Sequence, residues 1–242
     1  MIVAGWRTAS VADVVAANRH ARILRLRVPG WPGSEPGQHV DIRLTAEDGY
    51  QAVRSYSLAS YGPGEAIELA VDEVTNGEVS PYLVEDVRPG DELEVKGPLG
   101  GYFVWGPGDE RPVQLIAGGS GVVPLVGIAR ARFAAETRSD SPFRMLYSVR
   151  TAGDAIYRDE ILRLGETGLS VTWAYTRSAP EGWAGRVGRL DDAAISAAVW
   201  PADVAPLVYV CGPTGFVEHV ADALVRAGHD ASRVKTERFG GA

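Results

Sequence analysis

Three glycines stand where an apolar run gives way to a helix-like segment. Gly118, Gly119 and Gly121 follow the run "VQLI", and Pro124 comes shortly after them. Glycine lets backbone N–H groups approach a phosphate closely, a helix N-terminus carries partial positive charge, and proline in a first helical turn loses no needed donor. The stretch "AGGSGVVP" therefore predicts a phosphate site, although its spacing differs from the G-x-G-x-x-G fingerprint. The alternative is a tight turn whose glycines only relieve crowding.

A second candidate site is the stretch "RSYSLAS" at 54–60, which is typical of a strand. The two-residue period of a strand places Arg54 and Tyr56 on one face, with Ser57 pointing away unless the strand ends there. A cation beside an aromatic ring suits an anionic, aromatic ligand. An arginine beside a tyrosine on a solvated strand face is the common alternative.

A third stretch, "NGEVSPYL", combines a glycine with a hydroxyl near a helix start. Backbone N–H groups freed by Gly77, together with the Ser80 hydroxyl, are suited to hold a second phosphate. Taken alone, the stretch favours an ordinary capping turn.

The first hundred residues have the alternation of half-buried strands. In "HVDIRL", Val40, Ile42 and Leu44 share one face, and "ILRLRV" and "AIELAVD" repeat the pattern between turns rich in glycine and proline. Short strands at this spacing predict an antiparallel barrel or sandwich. One helical interruption is expected over 77–87.

The period changes after the stretch "WGPGDERP" at 105–112, which is the expected domain linker. The apolar runs "VQLIA", "RMLYSV", "LSVTWAY" and "PLVYVC" alternate with helix-like segments, and this alternation predicts a parallel α/β sheet. The expected helices are 121–138, 155–166, 191–199 and 214–228, the last with Thr214 as N-cap and Gly228 as stop. The expected domains are 1–108 and 109–242.

Composition limits the classes of function. The 242 residues carry a net charge of -7 with scattered Lys and Arg, which argues against nucleic-acid binding. No apolar run approaches the length of a membrane span and the N-terminus does not resemble a secretion signal, so a cytoplasmic location is expected. With a single cysteine, Cys211, and four histidines without ligand spacing, no metal site is predicted. Electron chemistry would need an organic cofactor.

Six motifs occur in an order that resembles the ferredoxin–NADP reductase superfamily. They are "RSYSLAS", "GEVSPYL", "GPLGGYF", "AGGSGVVP", "YVCGP" and "TERFGG", and together they extend over roughly residues 5 to 240. The resemblance implies a two-domain protein, with an N-terminal antiparallel β-barrel for FAD and a C-terminal Rossmann-like α/β domain for NAD(P).

The resemblance assigns flavin contacts in the first domain. Arg54 would bind the pyrophosphate, Tyr56 would pack along the isoalloxazine and ribityl, and Ser57 would hydrogen-bond near flavin N5. The turn would place its backbone and the Ser80 hydroxyl on the phosphates, which favours FAD over FMN. The expected flavin-binding residues are Arg54, Ser55, Tyr56, Ser57, Gly77, Glu78, Val79 and Ser80.

The resemblance also assigns nicotinamide contacts in the second domain. Cys211 would sit beside nicotinamide C4 in a positioning role, Glu237 would serve proton traffic or orientation, and Phe239 would stack on the flavin. Val123 stands where relatives often have Thr, and Phe239 replaces a tyrosine and is followed by three residues. A buried small apolar residue is the alternative for Cys211. The remaining expected contacts are Gly119, Ser120, Gly121 and Val122 on the pyrophosphate, with Gly212 and Pro213 shaping the turn.

Three arginines bear on the choice of nicotinamide cofactor. Arg150, Arg177 and Arg186 follow successive elements of the second domain, and guanidinium groups recognise a 2′-phosphate through charge-assisted hydrogen bonds. They favour NADPH over NADH. The alternative is three solvated arginines.

The implied activity is hydride transfer from NADPH to FAD, followed by electron transfer to a separate acceptor protein of the ferredoxin or flavodoxin type. Alternatives within enzymes are the reductase component of an oxygenase, cytochrome or molybdenum enzyme, and a free-flavin reductase. A flavin- or nucleotide-binding regulatory module is the non-enzymatic alternative.

Overall fold

The computed structural model describes residues 5–134 and 140–240. The chain forms two compact units, of which the first ends at Trp105 and the second begins at Gly106. This division lies inside the stretch 105–112 that the sequence marks as a linker, close to the expected limit at residue 108.

The first unit is a six-stranded antiparallel sheet with the strand order β4-β3-β6-β1-β2-β5. An antiparallel bridge between Leu58, just after β4, and Leu69 of β5 joins the two edges. The closed sheet confirms the expected antiparallel barrel. Its strands are β1 (Trp6–Ala16), β2 (Ala21–Arg27), β3 (His39–Thr45), β4 (Gln51–Ser57), β5 (Ala66–Asp72) and β6 (Glu92–Leu99).

The alternating pattern of the sequence accounts for the core of this barrel. Val40 and Ile42 of β3 are fully buried, as are Leu24 of β2 and Leu69 of β5. The residues between them on each strand are more exposed, so one face of every strand packs inward. Burial of these apolar faces is the main stabilising contribution to the unit.

The helical interruption is shorter than the expected 77–87. A π-helical turn covers Tyr82–Asp86, and the segment before it is a turn in which the Gly77 N–H donates to the Val74 carbonyl at 2.8 Å. Asn76, the residue before the expected segment, adopts a left-handed conformation, φ 62°, as part of this turn. The fully buried Leu83 anchors the helical turn on the barrel core.

The second unit is a five-stranded sheet with the order β11-β10-β7-β8-β9, in which every pairing is parallel. The parallel α/β architecture is confirmed. The strands are β7 (Val113–Gly118), β8 (Phe143–Val149), β9 (Ser170–Tyr175), β10 (Leu207–Pro213) and β11 (Val234–Phe239). The helices are α1 (Val122–Phe133), α2 (Arg158–Glu166), α3 (Asp192–Ala198) and α4 (Thr214–Arg226).

Two helices differ by three or more residues at one end from the sequence expectation. Helix α1 ends at Phe133, with Ala134 extended, and residues 135–138 of the expected segment lie outside the described residues. Helix α2 begins at Arg158 rather than at 155, because Tyr157 adopts a left-handed conformation, φ 58° and ψ 22°.

The expected N-cap of α4 is also corrected. Pro213 precedes the helix and Thr214 is its first residue, so the side chain at the cap position accepts no hydrogen bond from the helix N-terminus; the Thr214 hydroxyl donates to the Gly240 carbonyl at 3.3 Å. The helix ends at Arg226, and Gly228 follows in the left-handed region at φ 91°. Glycine at that position stops the helix as expected.

The strand order places a topological switch point at the carboxyl ends of β7 and β10. From β7 the chain proceeds outward through β8 and β9, and then returns to the other side of β7 for β10 and β11. Open α/β sheets bind their ligands at such points, in the crevice beyond the strand ends. No helix among the described residues combines the length and the apolar character needed to cross a membrane.

Candidate functional site

The glycines of the loop at the switch point have two different roles: some allow close packing, and one leaves its backbone open. A Cβ atom at Gly121 would lie 2.1 Å from the Cys211 carbonyl oxygen, and one at Gly118 would lie 2.7 Å from the Phe216 ring. Gly119, by contrast, has φ 55° and no atom within 4 Å of its Cβ position. Two glycines therefore relieve crowding, as the alternative interpretation expects, while Gly119 leaves an open backbone for a ligand.

The loop leads directly into α1. Gly119–Gly121 form one 3-10 turn, and the N–H of Val122 donates back to the carbonyls of Gly119 and Ser120. Gly119 and Ser120 are both partly exposed, whereas Val122 is fully buried. Of the four expected pyrophosphate contacts, Gly119 and Ser120 are thus the accessible ones, and Pro124 lies in the first helical turn as expected.

The end of β10 brings Cys211 against this loop, with Glu237 of β11 beside it. Cys211 pairs with Glu237 across β10 and β11, and its backbone meets Gly121. Cys211 is only 1% exposed; burial, and then the negative charge of Glu237, raise the pKa of its thiol well above its usual value. The thiol is neutral at physiological pH, which is compatible with a positioning role and not with a thiolate nucleophile.

Gly212, Pro213 and Phe239 also lie at the carboxyl ends of β10 and β11. Gly212 packs closely against Gly118, with its Cβ position 3.2 Å from the Gly118 backbone. Pro213 pairs with Phe239 at the carboxyl ends of β10 and β11, where the Phe239 ring is 37% exposed. The exposed aromatic ring lies at the sheet edge where the ligand crevice is expected.

The arginines Arg150, Arg177 and Arg186 lie at the carboxyl ends of β8 and β9. The backbone N–H of Arg177 donates to the Arg150 carbonyl at 2.9 Å, and both residues are exposed. Among the described residues, neither side chain forms an ion pair. Arg186 differs, because its guanidinium is paired with Asp191, whose other oxygen accepts the Ala194 N–H at 2.9 Å and caps α3. Arg150 and Arg177 are the available cations.

The predicted flavin strand β4 has the expected alternation. Arg54 and Tyr56 pair with Ile42 and Val40 of β3 and so share one face. The Arg54 side chain is 51% exposed, while Tyr56 packs partly on the barrel core, and burial raises the pKa of its phenol. A cation and a ring are therefore presented together.

The two serines of this strand have different surroundings. On the opposite face the Ser55 hydroxyl donates to Asp41 at 2.6 Å. Ser57 is the last residue of β4, opposite His39. Side chains alternate between faces only within a strand. Because Ser57 ends β4, its side chain need not point away from the face that carries Arg54 and Tyr56.

The predicted phosphate turn at Gly77–Ser80 is well ordered by its own hydrogen bonds. Ser80 is 6% exposed, and its Oγ accepts the Val74 N–H at 2.9 Å. Val79 is buried, so the turn is anchored on the core. The Ser80 hydroxyl caps the turn as the alternative interpretation expects, and still has its proton to donate.

Glu78 joins this turn to the flavin strand. Its carboxylate is ion-paired with the Arg54 guanidinium through Oε2 and accepts the Tyr50 hydroxyl at 2.9 Å through Oε1. Arg54, the predicted pyrophosphate ligand, is therefore in direct contact with a side chain of the predicted phosphate turn. Arg54, Tyr50 and this turn lie together in the first unit.

Comparisons with known proteins agree with the two units. Residues 9–104 match the family model of the oxidoreductase FAD-binding domain, and residues 115–222 match that of the oxidoreductase NAD-binding domain. A ferredoxin–NAD(P)+ reductase of Metapseudomonas resinovorans is 30% identical over 232 residues, covering 96% of this chain and 68% of the relative. The chain belongs to the ferredoxin–NADP reductase superfamily.

Other members of the superfamily show how the chain compares in length. The glycine betaine monooxygenase reductase subunit of Chromohalobacter salexigens is 32% identical over 213 residues, which are 85% of this chain and 56% of the relative. The chain spans about half the length of the curated relatives it matches. The FAD/NAD-binding domain of nitric oxide dioxygenase from Vibrio cholerae has a TM-score of 0.84 at 25% identity, covering 97% of this chain and 99% of that domain.

The residues present fit the cofactors of the ferredoxin–NADP reductase superfamily. In the first unit, the Arg54 guanidinium and the Tyr50 hydroxyl both contact the Glu78 carboxylate, so these two donors can face an anion together. In the second unit, the open backbone at Gly119 lies at the switch point. Both arrangements suit pyrophosphate groups.

Sequence reasoning missed two residues at these sites. Tyr50 lies just before β4 and has no signal in the sequence, because its role depends on a side-chain contact with Glu78. Phe216 packs on Gly118 and Gly212 and holds the ends of β7 and β10 together. An aromatic residue shortly after the "CGP" motif was the available signal for it.

Proposed function

We propose that the chain is a flavin-dependent NAD(P)H reductase that takes a hydride from NADPH onto FAD and passes electrons to a separate acceptor protein. The observation that carries the proposal is the switch point of the parallel sheet, where the open Gly119 backbone and the buried Cys211 lie at the ends of the adjacent strands β7 and β10, with the exposed Arg177 after β9. The match of both units to FAD- and NAD-binding domain families supports it.

In the first domain, the residues of the chain would bind and orient the flavin. FAD, when bound, accepts a hydride and can release electrons singly. Arg54 would hold the pyrophosphate, the Tyr56 ring would pack along the isoalloxazine and ribityl, and Ser57 would donate a hydrogen bond near N5. Ser80 and the backbone of Gly77–Val79 would complete the phosphate contacts.

In the second domain, the residues of the chain would orient the nicotinamide. Gly119 and Ser120 lie open for its pyrophosphate. The neutral thiol of Cys211 would define the position of nicotinamide C4, an effect that needs geometry rather than a thiolate. Glu237 beside it would hold a proton or orient the carboxamide, and Phe239 would cover the flavin.

NADPH is proposed as the preferred donor because of the cations at the strand ends. Arg150 and Arg177 are exposed, adjacent through a backbone hydrogen bond, and without an ion pair among the described residues. A 2′-phosphate between them would receive charge-assisted hydrogen bonds. Arg186 contributes less, since it is held by Asp191.

The acceptor is proposed to be a ferredoxin- or flavodoxin-type protein. A second candidate, the iron-containing component of an oxygenase, is favoured by relatives named as reductase subunits of glycine betaine monooxygenase and of propane 2-monooxygenase. Both candidates require one-electron release from a flavin reduced by NAD(P)H.

The test is NADPH-dependent reduction of cytochrome c by the purified chain, with and without an added two-iron ferredoxin. A strong stimulation by ferredoxin is expected for a ferredoxin reductase, whereas stimulation by free FMN alone identifies a flavin reductase. Absence of NADPH and NADH oxidation under every condition would instead support a regulatory binding module.

A further inference from the structure

We infer that Glu78 is an internal competitor for the FAD pyrophosphate, occupying the Arg54 guanidinium that the pyrophosphate requires and thereby setting how tightly the chain retains FAD. The inference rests on the proposed function, since it takes the first domain to bind FAD. It adds a residue that controls cofactor affinity through its side chain, whereas the motif accounts only for the backbone of this turn.

Two of the five N–H donors of the Arg54 guanidinium are engaged in the structure. Its Nη2 contacts Glu78 Oε2, and its Nη1 donates to the Val53 carbonyl at 2.8 Å. A guanidinium binds a phosphate best through a pair of parallel N–H donors. Glu78 therefore competes with a pyrophosphate for any pair of donors that includes the Arg54 N–H on Nη2.

The two oxygens of the Glu78 carboxylate are each held by a donor, as two oxygens of a bound phosphate would be. Oε1 receives the Tyr50 hydroxyl at 2.9 Å while Oε2 meets Arg54, so both oxygens are held by donors from β4 and the residue before it. These donors, Tyr50 first and then Arg54, hold the pKa of Glu78 below its usual value, so the carboxylate is charged at neutral pH.

Glu78 also belongs to the turn whose backbone is expected to meet the phosphates. A negative charge in that turn repels an incoming phosphate as long as the carboxylate stays in place. The Arg54 and Glu78 side chains are 51% and 46% exposed, and exposed ion pairs are weak. Glu78 is thus positioned to swing into solvent when FAD arrives, at a modest cost that lowers the affinity.

Tyr50 supplies a second donor to whichever anion lies on Arg54. Tyr50 is 57% exposed, and its hydroxyl donates to Glu78. Once Glu78 leaves, the same hydroxyl is a donor beside Arg54. The three residues therefore form an exchange site in which carboxylate and pyrophosphate alternate on the same donors.

The experiment measures FAD binding to the full chain after removal of its flavin. Titration followed by flavin fluorescence is expected to give a Kd for Glu78→Gln about two- to fivefold lower than that of the wild type, because one exposed ion pair no longer competes. Release of bound FAD should slow by a similar factor. Riboflavin, which has no phosphate, should bind both proteins equally.

Glu65→Gln is the matched control. Glu65 is ion-paired with Arg27 in the same domain, and its replacement removes the same charge without touching β4 or the Gly77 turn. Its Kd for FAD should equal that of the wild type. An equal gain in Glu65→Gln would reduce the effect to net charge and overturn the inference.

The double variant with Arg54→Ala separates competition from simple repulsion. If Glu78 acts by occupying Arg54, Glu78→Gln gives no gain in affinity in the Arg54→Ala background. A gain of the same size in both backgrounds contradicts the competition. Glu78→Ala serves in place of Glu78→Gln if the latter fails to fold.

The possible outcomes distinguish the two proposals. Failure of the wild type and of every Glu78 variant to bind FAD would overturn the proposed function, and the inference with it. Binding by the wild type, with no tightening in the Glu78 variants, would overturn the inference alone and leave the reductase proposal standing.

Discussion

A Cβ atom at Gly121 would overlap the carbonyl oxygen of Cys211, with only 2.1 Å between them. The loop before α1 and the end of β10 are therefore in direct backbone contact at the switch point. Because no side chain fits there, the loop that carries Gly119 and Ser120, proposed to contact the pyrophosphate, is held at a fixed separation from Cys211, proposed to face the nicotinamide. Packing at Gly121 thus positions the residues that are proposed to contact the ligand.

Gly121→Ala is expected to destabilise the second domain. The added methyl group must displace backbone rather than a flexible side chain, so the loss in the free energy of unfolding should reach about 3 kcal/mol, the upper range for overpacking. Urea denaturation provides the measurement. Gly119→Ala is the control: its Cβ meets nothing within 4 Å, and its positive φ costs about 1–2 kcal/mol. Equal losses in the two variants would contradict the packing account.

Arg177→Ala is expected to raise the Michaelis constant for NADPH by roughly tenfold, because one charge-assisted hydrogen bond to the 2′-phosphate is lost. The constant for NADH should change little. Arg186→Ala should have a smaller effect, since Asp191 already holds Arg186. Steady-state kinetics with both cofactors gives the comparison. Equal increases for NADPH and NADH would disprove the proposed 2′-phosphate site.

Arg54→Ala is expected to lose FAD during dialysis, because the pyrophosphate loses its cation. Absorbance of the retained flavin per chain measures the effect. Arg27→Ala, which removes another exposed, ion-paired arginine of the same domain, should keep its flavin. Stoichiometric flavin in dialysed Arg54→Ala would argue against Arg54 as the pyrophosphate ligand.

The Cys211 thiol is expected to resist alkylation in the folded protein. Its pKa is raised by burial and by Glu237, so the reactive thiolate is scarce at pH 7 and increases only as the pH approaches the raised pKa. Mass spectrometry after iodoacetamide should show almost no adduct in the native chain and a single adduct after denaturation. Rapid native labelling at pH 7 would contradict the buried, neutral thiol.

Much of the fold is predictable because its strands have simple patterns. The alternation in "HVDIRL" and "AIELAVD" gives β3 and β5, and the continuous apolar runs give the strands of the parallel sheet except β11. That edge strand carries polar residues such as Lys235 and Glu237, so no apolar run reveals it. The early start assigned to α2 fails because the left-handed Tyr157 interrupts a segment whose composition suits a helix.

The candidate site is predictable where motifs act through the backbone and less so where side chains meet. Gly119 could be chosen from its position after a strand. That Gly118 and Gly121 serve packing instead could not be predicted, because they pack against Phe216 and Cys211, which are distant in sequence. The pairing of Glu78 with Arg54 and Tyr50 likewise joins residues that no local pattern connects.

The most direct test of the central claim is an anaerobic visible spectrum of the purified chain before and after addition of NADPH and, separately, of NADH. The reductase account predicts a flavin spectrum that bleaches with both cofactors and faster with NADPH. Faster bleaching with NADH would retain the enzyme and overturn the role of the arginines. A bound flavin that stays oxidised with either cofactor would contradict the proposed hydride transfer.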